Sequence, residues 1–80
     1  MKKHVTLVQF GRNVRRLRLA AGLALEDVAL HCAKSRDQIA HIEAGSVNPT
    51  LAVIDALARA LGVEVAALLQ DLPYAPAGPG

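Results

Sequence analysis

The chain has 80 residues, of which 52% are apolar, and a formal net charge of +2. This length fits one small domain, and a single Phe and a single Tyr require an aliphatic core. No apolar run approaches the roughly 20 residues that span a bilayer, and arginines stand where a signal peptide would be apolar, so no membrane partner is expected. One cysteine cannot form an internal disulfide, which favours a cytoplasmic protein.

Positive charge is concentrated at the start of the chain. Six basic residues precede Glu26, the first acidic one: Lys2, Lys3, Arg12, Arg15, Arg16 and Arg18. The rest of the chain carries more acidic than basic side chains. Such an uneven distribution of charge along the chain favours an anionic partner, although the same basic residues would also fit a solvated helix face.

The first predicted helix begins near Leu7 and ends near Ala21. Thr6 and Gln9 have the spacing of a capping box, and Gly22 can end the helix in the left-handed conformation, with Leu23 entering the core. Residues 4–10 also alternate as a short strand would, which is the alternative. The apolar stripe of the helix falls at steps of three and four residues: Leu7, Phe10, Val14, Leu17 and Ala21.

Two short amphipathic helices follow, separated by a tight turn. The second helix, Leu25–Cys32, turns Val28, Ala29 and Cys32 inward. After residues 33–35, where Ser35 can cap the next helix, the third helix covers Arg36–Glu43. Its inward side chains are Ile39, Ile42 and Glu43, and its outward positions are Arg36, Asp37, Ala40, His41 and Ala44.

The remaining elements are two further helices. Gly45 ends the third helix, Pro49 prevents its continuation and Thr50 caps the fourth. The apolar stripe of the fourth helix is Leu51, Ile54, Leu57, Ala58 and Leu61, and Gly62 ends it. A fifth helix is predicted from about Val65 to Gln70, followed by a flexible tail over residues 71–80. The prediction is therefore an all-α domain of five helices over residues 1–70.

Six motifs occur in the order found in one family: GRNVRRLR, AGL, EDVA, IAHIEAG, NPTL and ALARALGV. Through them the segment from Phe10 to Leu69 resembles the lambda-repressor/Cro-like (Xre-type) helix-turn-helix DNA-binding domains. The resemblance implies a compact five-helix fold in which the second and third helices form the helix-turn-helix. It also implies a small transcriptional regulator that binds double-stranded DNA, as a homodimer and without a cofactor.

The resemblance assigns roles to individual residues. Base-contacting positions of the recognition helix correspond to Arg36, Asp37 and His41, with Gln38 on the flank, where it can reach a base or the backbone. Asp37 has an alternative role as the i,i+4 partner of His41. Phosphate contacts correspond to Arg12, Lys34, Ser35, Ser46 and Asn48.

Two structural roles also follow from the resemblance. Arg18 and Glu43 match a partly buried salt bridge of the phage repressors. Dimerisation near the C-terminal helix would use the apolar residues Val63, Val65, Leu68, Leu69 and Leu72, and the N-terminal segment is the alternative interface.

The chain also departs from the family pattern at several positions. Ala24 stands where relatives have a capping Ser or Thr, Leu25 where they have Gln, and Ala44 and Asp37 where they have polar or basic residues. These departures favour the rival hypothesis, a protein-interaction module of the same fold. Catalysis and a metal site are not expected, because His31, Cys32 and His41 match no zinc spacing.

Overall fold

The computed structural model describes residues 6–70. Five helices and no strands occur in that part of the chain: α1 (Leu7–Ala20), α2 (Leu25–Cys32), α3 (Arg36–Glu43), α4 (Leu51–Leu61) and α5 (Val65–Leu68). The predicted all-α architecture is confirmed, and the alternative of a strand is wrong over residues 7–10. The tail predicted over residues 71–80 lies outside the described residues. None of the five helices is long and apolar enough to span a bilayer.

The core is built where α2 packs against both α3 and α4, while α1 packs against α3 and α5. Its one aromatic side chain among the described residues is that of Phe10, as the composition required. Ile39, Leu57 and Leu68 have no exposed surface. The other buried apolar residues are Val14, Val28, Ala29, Ile42, Ala58 and Leu61.

Side-chain hydroxyls cap the starts of α1, α3 and α4 and so fix where these helices begin. The hydroxyl of Thr6 accepts a hydrogen bond from the amide of Gln9 at 3.0 Å, and Thr50 accepts from the amide of Val53 at 3.2 Å. The box predicted at Thr6 is only half formed, because the side chain of Gln9 donates to Asn13 instead. α2 lacks a capping hydroxyl, and there Asp27 accepts from the backbone amide of Ala24 at 2.8 Å.

The predicted apolar stripes are wrong at their ends. Leu51 is 80% exposed and Leu7 is 38% exposed, because each opens a helix beyond the edge of the core. Ala21 is also exposed, as the C-cap of α1. α5 ends at Leu68 rather than Gln70, and the carbonyl oxygens of both residues accept hydrogen bonds from Asn13.

The end of α3 lies directly against α1. A Cβ atom on Gly11 would lie 2.4 Å from the carbonyl oxygen of Glu43, so only glycine allows this approach. Gly45, with φ +75°, follows α3, and a Cβ there would lie 2.8 Å from the Cα of Val8. These two close contacts fix the position of α3 on the body of the domain.

Candidate nucleic-acid interface

The turn between α2 and α3 holds these helices in a helix-turn-helix arrangement. Ala33 adopts the left-handed conformation with φ 54°, where glycine is usual, and the amide of Lys34 donates to the carbonyl of Ala29 at 2.9 Å. Ser35 then caps α3 by accepting from the amide of Gln38 at 3.1 Å. The predicted turn geometry is thus kept at the cost of a strained Ala33.

The outer face of α3 is a row of exposed polar side chains. Arg36, Asp37, Gln38 and His41 are all exposed, whereas Ile39 and Ile42 on the opposite face are buried. Ala40 is half-buried and Ala44 is exposed. The predicted inner and outer faces of this helix are therefore confirmed except at Ala40, which lies at the boundary between them.

The guanidinium of Arg36 contacts two carboxylates. Its Nε lies 3.3 Å from Oε2 of Glu26 in α2, and its Nη1 lies 3.7 Å from Oδ1 of Asp37. The alternative pairing of Asp37 with His41 is absent among residues 6–70, where the ionic contact of Asp37 is with Arg36. Arg36 thus lies beside the start of α2, with its side chain more than half exposed.

Gln38 is already engaged at the start of α3. Its Oε1 accepts from the backbone amide of Ser35 at 2.8 Å, which closes a capping box with the Ser35 hydroxyl. Only the amide NH2 group of this side chain is left to meet a further acceptor. This capping role was not part of the prediction for Gln38.

A groove of about 230 Å³ lies between the end of α3 and the start of α4. Its lining combines polar groups with an apolar floor: Lys34, Gln38, His41, Ile42, Val47, Asn48, Pro49, Thr50 and Val53. Lys34 is half-buried here, and Asn48 is exposed. The hydroxyl of Ser46 donates to the carbonyl of His41 at 3.1 Å, so its proton is used to end α3.

Arg12 is exposed on α1, outside this groove. Of the predicted phosphate-contacting residues, the structure brings Lys34 and Asn48 together in the groove. Ser35 caps α3, and Ser46 lies in the loop that follows α3. Four members of the predicted group therefore lie next to α3 in the chain or in the groove, whereas Arg12 lies apart on α1.

Arg18 and Glu43 connect α1 to the last turn of α3. Nε and Nη2 of Arg18 donate to the two carboxylate oxygens of Glu43 at 2.6 and 3.0 Å. A third donor, Nη1, reaches the carbonyl of Leu23 at 2.9 Å. The hydrogen bond to Glu43 raises the pKa of Arg18, against the opposing effect of burial. The pair fixes the inner side of α3 through charge-assisted hydrogen bonds.

The residues predicted for a dimer interface lie in different environments. Leu68 is fully buried in the core of its own chain, so its assignment to a surface is wrong. Val63 and Val65 are half-buried against that core, and Leu69 is 39% exposed. Leu72 lies outside the described residues. Leu68 was misassigned because the apolar pattern of so short a helix does not reveal which side faces the core.

Two positioning residues were not identified from the sequence. Asn13 is 1% exposed and donates to the carbonyls of Leu68 and Gln70 at 2.8 and 2.9 Å, which joins α1 to the end of α5. The signal available in the sequence was the position of Asn13. It lies three residues after Phe10, so on a helix its side chain falls on the same inward face. The second is Glu26, which lies 3.3 Å from Arg36, a contact that no pattern in the sequence indicates.

Two features of the described residues concern metal binding and thiol chemistry. No three His, Cys, Asp or Glu side chains come together there as metal ligands. Cys32 is half-buried, and burial raises the pKa of its thiol, an effect that the charge of Lys34 partly offsets.

Comparison with known proteins decides the family. A family model described as a helix-turn-helix domain matches residues 9–72. The chain belongs to the Xre-type helix-turn-helix family. An HTH-type transcriptional regulator of Sinorhizobium fredii, y4dJ, is 35% identical over 68 residues, which cover 85% of this chain and 88% of that relative.

Solved structures of this family share the fold. The restriction-modification controller protein C.AhdI from Aeromonas hydrophila is 39% identical, with a TM-score of 0.75 over 78% of this chain and 94% of that one. The hypothetical transcription factor NHTF from Neisseria is 30% identical, with a TM-score of 0.75 over 80% of this chain and 74% of that one. As an Xre-type helix-turn-helix protein, the chain is a DNA-binding transcriptional regulator.

Proposed function

We propose that this Xre-type regulator recognises a specific double-stranded DNA sequence as a homodimer, with α3 in the major groove. One observation carries the proposal: the exposed polar face of α3 lies opposite a fully buried apolar face. The helix is further fixed by the Arg18–Glu43 pair and by the close contact at Gly11. A rigid helix with an exposed hydrogen-bonding face suits base readout in the major groove.

The side chains on that face match different base edges. Arg36 can donate to O6 and N7 of one guanine, and it lies in the first turn of α3, the part of a recognition helix that contacts bases. Asp37 can accept from the amino group of cytosine, and His41 can donate to a purine acceptor. The free NH2 group of Gln38 can donate to a base or to the backbone.

Phosphates would be bound around this face. Lys34, in the turn before α3, and Asn48, in the loop before α4, line the same groove. The hydroxyls of Ser35 and Ser46 lie at the two ends of α3, and Arg12 adds a positive charge from α1. Such contacts position the protein on the duplex, whereas base contacts select the sequence.

A second copy would complete the binding site. Leu69 is 39% exposed at the end of α5, beside the half-buried Val63 and Val65, and this apolar surface is proposed to meet its symmetry mate. Two recognition helices would then contact half-sites about 34 Å apart, one turn of DNA. Leu7 and Val8, both exposed on α1, offer the alternative interface.

A protein-interaction module of the same fold is the second candidate function. Its support lies on α3, where Ala44 is exposed at a position that is polar or basic in relatives and the exposed, acidic Asp37 would repel phosphates. The two functions make different predictions for DNA binding, so one experiment separates them.

The test is selection of bound duplexes from a random DNA pool, followed by affinity measurements on the selected site across a salt series. We expect one recurring sequence with two half-sites, and affinity that falls steeply with salt because phosphate contacts release counterions. Sedimentation with and without the selected duplex would report the dimer. Absence of binding to any duplex at low salt would favour the protein-interaction function.

A further inference from the structure

The guanidinium of Arg36 lies in a cluster whose net charge is negative. Glu26 Oε2 is 3.3 Å from Nε, and Asp37 Oδ1 is 3.7 Å from Nη1. All three side chains are more than half exposed, so the cluster faces the solvent from which DNA would approach. One positive and two negative side chains leave one negative charge at the proposed base-reading position.

From this geometry we propose that Glu26 is a specificity-determining residue that acts through Arg36. The inference deepens the proposed function and rests on it. Glu26 lies in the first turn of α2, and its contact with Arg36 joins the starts of the two helices of the motif. It is a positioning residue, because its contact is with Arg36 and no base contact is assigned to it.

Glu26 orients the guanidinium fork. The guanidinium nitrogen nearest Glu26 is Nε, so Arg36 turns its Nε side to that carboxylate, and the outer edge formed by Nη1 and Nη2 has only the 3.7 Å contact of Nη1 with Asp37. Two terminal nitrogens in one plane are what a bidentate contact to O6 and N7 of guanine requires. The contact with Glu26 therefore need not break when the Nη1/Nη2 edge of Arg36 binds a guanine, whereas the longer contact of Nη1 with Asp37 gives way.

Glu26 also weakens binding to DNA of the wrong sequence. Phosphates attract any positive side chain regardless of sequence, and this attraction dominates non-specific affinity. A cluster with one net negative charge gains nothing from that attraction, whereas its directed bonds to a guanine edge are retained. Specificity increases when the wrong partner is repelled and the correct one is still bound.

The experiment compares Glu26→Gln with the parent on the selected duplex and on a scrambled duplex at one salt concentration, by fluorescence anisotropy. We expect tighter binding to the scrambled duplex, unchanged or weaker binding to the selected one, and a specificity ratio reduced roughly tenfold. Glu64→Gln is the matched control, because it removes the same charge from an exposed residue at the start of α5. The control is expected to leave the ratio unchanged.

The same substitution in an Arg36→Ala background tests whether Glu26 acts through Arg36. We expect Glu26→Gln to leave the ratio unchanged in that background. An equal reduction of the ratio with and without Arg36 would overturn the inference, and so would an equal gain on both duplexes in the parent background. A parent that binds without any sequence preference would instead overturn the proposed function, and with it this inference.

Discussion

Arg18 and Glu43 form a bidentate ion pair in which each side chain is at most one-tenth exposed. The pair joins the basic first helix to the last turn of the helix proposed to enter DNA. A third hydrogen bond from Arg18 to the carbonyl of Leu23 anchors the segment between α1 and α2. One guanidinium therefore links three parts of the fold, and its loss would displace all of them.

Glu43→Ala should destabilise the domain by about 3 kcal/mol, because it leaves a buried guanidinium without its counter-charge. Urea unfolding measures this loss. Asp55→Ala is the matched control, since Asp55 and Arg59 form an exposed i,i+4 pair on α4. That pair should contribute no more than about 0.5 kcal/mol. A loss below that value for Glu43→Ala would show that its carboxylate contributes like a surface charge.

Asn13→Ala should destabilise the domain by about 2 kcal/mol, because it removes two donors from the carbonyls of Leu68 and Gln70. Hydrogen exchange should show increased opening at α5 before the rest of the domain. Asn48→Ala, in an exposed loop, serves as the control and should leave stability nearly unchanged. Unaltered exchange at α5 in Asn13→Ala would contradict this account.

The helix ends were predictable from the sequence because they depend on nearby residues. Thr6, Ser35 and Thr50 cap amides three residues away, and Gly62 ends α4 with φ +70°. Burial at the ends of helices was not predictable in the same way. Leu51 and Leu68 both fit an apolar stripe, yet one is 80% exposed and the other fully buried. Only the packing of distant helices distinguishes them.

Ala33→Gly should stabilise the domain by about 0.5 kcal/mol, because glycine relieves the left-handed strain but gives the unfolded chain more entropy. Gly62→Ala is the reverse substitution at another left-handed position, and it should lower the stability of the domain. Its φ is +70° and no atom lies within 4 Å of the added Cβ, so backbone strain alone should cost about 1 kcal/mol. Changes of the same sign in the two variants would contradict this explanation.

Cys32 should react slowly with iodoacetamide in the native state and faster in urea. Burial raises the pKa of its thiol and so lowers the thiolate fraction. Because the pKa of Cys32 is raised in the folded state, the neutral thiol contributes stability at pH values below the pKa of an ordinary thiol. This contribution is lost as pH rises through the raised value, so stability should fall at alkaline pH. Equal rates in buffer and urea would show that the thiol is accessible in the folded domain.

The site was less predictable than the fold. The exposed face of α3 follows from its 3.6-residue periodicity, so Arg36, Asp37 and His41 could be placed outward. The engagement of Arg36 by Glu26, ten residues earlier in another helix, depends on the angle between α2 and α3. Periodicity carries no information about that angle. The capping role of Gln38 is different, because it is local: Ser35 and Gln38 have the same spacing as Thr6 and Gln9, so the sequence does contain its signal.

Sequence recognition by α3 is the central claim, and Arg36→Ala compared with Lys34→Ala tests it most directly. Affinities would be measured on the selected duplex and on a scrambled one across a salt series. Arg36→Ala should lose about 1–3 kcal/mol on the selected site and much less on the scrambled one. Lys34→Ala should weaken both equally and reduce the salt slope by about one. Equal losses from Arg36→Ala on both duplexes would contradict the claim.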